Sequence, residues 1–78
     1  MNREQILEAF ARVASGGYPP NSFVRTLCME LNIPRRIRAE VVRQLTGVMR
    51  ELNDRGEKDA LVFAEAIATH LMDMAAES

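Results

Sequence analysis

One cysteine and one histidine among 78 residues remove most of the chemistry a small protein can carry. Cys28 has no partner within the chain for a disulfide, so an oxidising compartment is not implied. Its place in an apolar helical stripe marks it as a small buried hydrophobe rather than a reactive thiol. A zinc site needs three or four convergent ligands, and His70, with Asp73 and Glu77 beyond it on the same helix edge, lacks a second His or Cys to complete one. A nucleophile and base pair is equally unsupported. Ser15-Gly16-Gly17 is too short for a phosphate loop and lacks the Gly-Lys-Ser ending. The expectation is therefore no enzyme, no metal, no cofactor and no catalytic residue.

Other scarcities narrow the partners. Aromatic residues make up 5% of the chain, and none stands beside the arginines as a stacking platform for bases. The net charge of -1 and pI of about 5.8 give no overall attraction to nucleic acid or anionic membranes. No apolar run approaches a membrane span, and no basic stretch followed by an apolar run opens the chain, so a cytoplasmic protein without a signal peptide is expected.

What is present is helical periodicity throughout. Four helices are expected, over about residues 3–15, 22–32, 34–55 and 58–75, in a single all-α domain spanning 1–78. Asn2 with Gln5 forms a capping box, and Ile6, Ala9, Phe10 and Val13 then recur at the helical interval until Gly16-Gly17. Tyr18-Pro19-Pro20 makes a stiff loop, after which Asn21 or Ser22 is expected to cap a helix striped by Phe23, Leu27 and Leu31. Asn32-Ile33-Pro34 breaks that helix, Pro34 suiting the first turn of the next one. The third helix has Ile37, Val41, Leu45, Val48 and Leu52 as its spine, over an apolar arc of about 140°. Gly47 lies inside it at roughly 1 kcal/mol relative to Ala, marking a close crossing or a bend. Gly56 ends it. The last helix carries Ala60, Leu61, Phe63, Ala64, Ile67, Ala68, Leu71, Met72, Met74 and Ala75 over about half its girth, the arc expected to be buried, with Val62 and Ala66 forming a minor patch on its polar side.

Folding a chain of this size removes roughly 60% of its extended surface, and such a core supplies only about 3–5 kcal/mol. One thin bundle covers both wide faces poorly. A partner chain is therefore expected, most economically a second copy. The expected shared face is the row of small residues on the last helix, Ala60, Ala64, Ala68 and Ala75, with Leu71, since small residues admit a second backbone.

Charge is segregated along the chain. Residues 34–56 hold six arginines against three acids, and residues 57–78 hold Lys58 against five acids. Arg36, Arg43 and Arg50 recur every seventh residue, a stripe roughly 21 Å long at 1.5 Å per residue. Arg35 and Arg38 add cations at the helix start, where they oppose the helix dipole. The set reads either as a docking strip for an acidic protein or phosphates, or as a solvated face paired as Arg36–Glu40, Arg50–Asp54 and Glu51–Arg55. Tyr18, in its rigid loop, is a further anchor for a partner.

Two functions follow as expectations. The first is a protein interaction module acting by stoichiometric binding, as an adaptor, chaperone or small inhibitor or antiactivator of a larger protein, using Arg35, Arg36, Arg38, Arg43, Arg50 and Tyr18. The second is a small dimeric DNA-binding regulator using the helix-turn-helix-like segment 22–55. Its register is imperfect, because Arg38 occupies the position five beyond Ile33 where that motif needs a buried aliphatic. Short helices with Ala-rich, Met-containing faces are a layout shared by many small adaptors, secretion chaperones, antiactivators and phage-encoded inhibitors, and no motif singles out one of these.

Overall fold

In the computed structural model, which describes residues 1–77, four helices follow one another: α1 (Arg3–Ser15), α2 (Pro20–Glu30), α3 (Arg35–Asp54) and α4 (Ala60–Glu77). No strand occurs among the described residues. Each helix packs on its neighbours in the order α1, α2, α3, α4 and back to α1, while the diagonal pairs make no close backbone approach. The radius of gyration is 11.5 Å, the value that size scaling gives for a fully compacted chain of this length. No helix among the described residues is long and apolar enough to cross a membrane.

Local chemistry sets the boundaries. Asn2 and Gln5 form the expected capping box, the Gln5 amide donating to Asn2 Oδ1 at 2.9 Å and the Asn2 amide to Gln5 Oε1 at 3.0 Å. The second helix starts earlier than residue 22, and neither Asn21 nor Ser22 caps it: Pro19 is the cap residue and Pro20 the first helical one. The fixed backbone angle of proline suits that first turn, where a missing N–H is no loss. Pro34, by contrast, precedes α3 as its cap residue. Asp59 opens α4, its Oδ1 accepting from the Leu61 amide at 2.9 Å, so that helix begins two residues later than expected.

Two turns close in the same way. Asn32 takes φ 56° after α2, and Gly56 takes φ 80° after α3. The amides of Ile33 and Glu57 then reach back to the carbonyls of Cys28 and Leu52, both at 3.0 Å. These are the six-to-one bonds of a Schellman ending, which needs a left-handed residue and a contact from the residue after it. Buried Ile33 supplies that contact at the first turn.

The core draws on every element: Ile6, Ala9, Phe10 and Val13 from α1, Val24, Leu27 and Cys28 from α2, Ile33 from the turn, Val41 and Leu45 from α3, and Ala64, Ile67, Ala68 and Leu71 from α4. Phe10 meets half-buried Phe23 edge to face, ring centroids 5.0 Å apart. At 1.5 Å per residue, α1 and α2 are about 20 and 17 Å long, whereas α3 and α4 reach about 30 and 27 Å. The short pair therefore leaves part of the long pair uncovered. Of the expected α3 spine only Val41 and Leu45 are fully buried, Val48 and Leu52 are half-buried, and Ile37 is exposed.

The alanine row of α4 belongs to this core. Ala64, Ala68 and Leu71 are buried within the single chain, where α1 and α4 pack. They are consumed by the close approach that small residues permit and cannot also form a face shared with a second copy. Ala60 and Ala75, at the two ends of the row, are exposed.

Candidate protein interaction site

The arginines of α3 divide into two groups. Arg38 is half-buried and turned toward the α2–α3 turn, where its Nη2 donates to the Ile33 carbonyl oxygen at 3.0 Å. Its guanidinium opposes the effect of burial at Cys28, whose thiol is pushed up to about 11 by desolvation. Arg38 therefore stands where a helix-turn-helix wants an aliphatic and seals the turn instead of facing a partner. Arg43 is also engaged, its Nε donating to Glu40 Oε2 at 3.0 Å and its Nη2 to Glu40 Oε1. Those bonds, with one from Gln44, hold the Glu40 carboxyl down to about 2.

Arg35, Arg36 and Arg50 are exposed and take part in no ion pair among the described residues. Of the three local pairs open to the stripe, only Glu51–Arg55 forms. Glu40 turns to Arg43 and Gln44 rather than to Arg36, and Arg50 does not pair with Asp54. Two cations thus remain in the first turn of a helix that has no side-chain cap, at the dipole end that disfavours them.

Beside them lies an apolar groove of about 330 Å³ between the start of α3 and the end of α4, lined by Met1, Ile33, Pro34, Ile37, Val41, Leu71, Met74 and Ala75 with Glu40 at its edge. Ile37 is 43% exposed there.

Tyr18 is elsewhere. Its ring lies over Gly16, where an added Cβ would come within 2.5 Å of Tyr18 Cε2. The side chain remains 47% exposed and shares a shallow depression with Met29, Thr26, Glu30 and Asn32 rather than with the arginines. The structure therefore does not gather the expected partner-binding residues into one surface.

A second open surface follows the outer edge of α3 and α4. Val48, Leu61, Val62, Ala66 and Thr69 line a shallow groove of about 600 Å³, with Glu65, His70 and Asp73 on its α4 side. Leu61, placed by its spacing on the inner arc, is 62% exposed and also lines a depression against Leu7, Ala11 and Ala14 of α1. The sequence signal for this surface is the Val62–Ala66–Thr69 row, small and apolar at helical spacing on an otherwise polar side. On α3, a Cβ added at Gly47 would meet nothing within 4 Å. The glycine therefore marks no close crossing within the chain.

A hydrogen-bonded chain ties the two long helices below that edge. Gln44 Nε2 donates to Glu40 Oε1 at 2.9 Å, which turns Gln44 Oε1 toward α4. His70 Nε2–H then donates to Gln44 Oε1 at 2.8 Å. The only histidine thus has a structural role between helices, and no group of three His, Cys, Asp or Glu placed to hold a metal ion occurs among the described residues.

The fold and surfaces define a small all-α domain with open apolar grooves. Comparison with protein-family models, with curated proteins and with solved structures returns no match.

Proposed function

We propose that this chain is a non-enzymatic interaction module that binds a larger protein stoichiometrically, as an adaptor, chaperone or small inhibitor, and that it works as a homodimer. The observation that carries the reading is the groove at the start of α3, where exposed Ile37 lies among apolar walls beside two arginines without ion pairs. The partner surface that fits is acidic with an apolar anchor. Burying Ile37 supplies affinity, and Arg35 and Arg36 supply orientation and association rate.

Nucleic-acid binding is the competing class. It is weakened by the inward turn of Arg38 and the pairing of Arg43, which leave Arg35, Arg36 and Arg50 as the cations of α3 available to phosphates.

The test is affinity capture from a lysate with the wild-type chain and with an Ile37→Glu, Arg36→Glu double variant, both checked for helicity. A protein retained in equimolar amount by the wild type and lost from the variant supports the reading. Equal retention by both sinks the groove as the binding site.

A further inference from the structure

We infer that the occupant of the Ile37 groove is an amphipathic helix of the partner, about two turns of which lie between α3 and α4 with apolar residues inward and carboxylates beside Arg35 and Arg36. The inference rests on the proposed function and adds the conformation of the bound segment and the spacing of its side chains.

The walls decide the conformation. The groove runs between two helices, with Ile37 and Val41 on α3 and Leu71, Met74 and Ala75 on α4. Backbone donors and acceptors along a helix are used internally, and the Ile37 amide at the start of α3 already donates to the Pro34 carbonyl at 3.1 Å. An added strand needs a sheet edge, and no strand occurs among the described residues. A polyproline segment needs a groove lined by aromatic rings, and the residues lining this one are aliphatic apart from Glu40. A helix arrives with its own backbone bonds made and asks of the groove only apolar contact.

Length sets the spacing. From Pro34 to Val41 the α3 wall extends about 10.5 Å at 1.5 Å per residue. That is the distance from i to i+7 on a docked helix, so apolar side chains at i, i+3 or i+4, and i+7 span it. Buried Ile33, Val41 and Leu71 form the floor, and exposed Ile37 stands at the mouth.

Charge sets the polar flank. Glu40, the acid at the edge of the groove, is already held by Arg43 and Gln44. Asp73 of α4 lines the outer groove instead of this one. Arg38 is turned to the Ile33 carbonyl. The charges left beside Ile37 are Arg35 and Arg36, which take part in no ion pair among the described residues. Carboxylates complement them, placed at the end of the docked helix that overlies the first turn of α3.

The experiment is selection from a phage-displayed random library of peptides of about 16 residues, long enough to form a helix, on the wild-type chain with counter-selection on Ile37→Glu. Peptides retained by the wild type and lost from the variant should carry apolar residues at i, i+3 or i+4 and i+7, an excess of Asp and Glu, and no internal Pro. A synthetic copy of one should gain helicity on binding, read by circular dichroism. Arg35→Glu with Arg36→Glu, both at exposed positions, should slow its association roughly 10-fold at low salt and little at high salt. Lysines in place of the peptide's acids should restore the rate with that variant. Enrichment of Pro-containing, extended or basic peptides, no enrichment that depends on Ile37, or association indifferent to the arginine changes would overturn the inference. Lysate capture that depends on Ile37, found together with selected peptides that bind without gaining helicity, sinks the helix and leaves the proposed function standing. Loss of Ile37 dependence in both experiments sinks the groove itself.

Discussion

The α2–α3 joint and the outer α3–α4 edge both carry aliphatic side chains and finish with opposite surfaces. At the joint, Asn32 turns the chain, Ile33 tucks into the core, and Arg38 closes the turn by donating to the Ile33 carbonyl. At the edge, Val48, Leu61, Val62 and Ala66 line open space. An apolar position becomes core only where a neighbouring element is long enough to reach it. The same position on an overhanging helix becomes surface.

Paired substitutions sharpen this contrast, the largest effect first. Ile67→Ala removes a fully buried side chain and should destabilise the chain by about 2–5 kcal/mol in urea titrations. Leu61→Ala, one helix face away, should stay within about 0.5 kcal/mol at concentrations where the chain is monomeric. A comparable loss at Leu61 would mean that the edge is core. Arg38→Ala leaves the Ile33 carbonyl without its donor and should lose about 1–3 kcal/mol, whereas Arg36→Ala, exposed and without an ion pair, should be near neutral in the same titration.

The next test concerns Gly47. In the monomer Gly47→Ala should stabilise α3 by up to about 1 kcal/mol, because nothing opposes the added methyl group. Unchanged or reduced stability would mean that the added methyl group meets an obstacle at this position.

The smallest effect is electrostatic. Arg43 and Gln44 hold Glu40 at about 2, below its ordinary 4.5. Its folded-state value is depressed, so its contribution is fully present above about 4.5 and is lost as the pH falls toward about 2. Both groups are solvent-exposed, which keeps that contribution small. Glu40→Gln should flatten the stability profile across this window in acid titrations followed by circular dichroism. An unchanged profile would remove the Glu40 cluster from the energetics of the long helices.

Periodicity and punctuation made the four helices legible. The Asn2–Gln5 capping box, the glycine ending of α1, the Asn32-Ile33 break and the Gly56 ending all lie where the residues place them. The helix starts were less so: Pro20 opens α2 itself, and Asp59 delays α4, because capping is decided by backbone angles that composition does not reveal. The surfaces were harder still. Ala64, Ala68 and Leu71 read as a seam for another chain, yet α1 fills that seam. Leu61 read as buried and is open, since the relative lengths of packed helices decide coverage and no local pattern carries them. The arginine stripe was visible at its true spacing, but the inward turn of Arg38 depends on a carbonyl presented by the preceding turn.

The measurement that bears most directly on the central claim is light scattering at low salt with a short mixed-sequence duplex added. A protein-binding module with Arg38 and Arg43 occupied should keep the same mass with and without the duplex. A particle that gains the mass of the duplex, and loses it steeply as salt rises, would contradict the account and make α3 a nucleic-acid-binding helix.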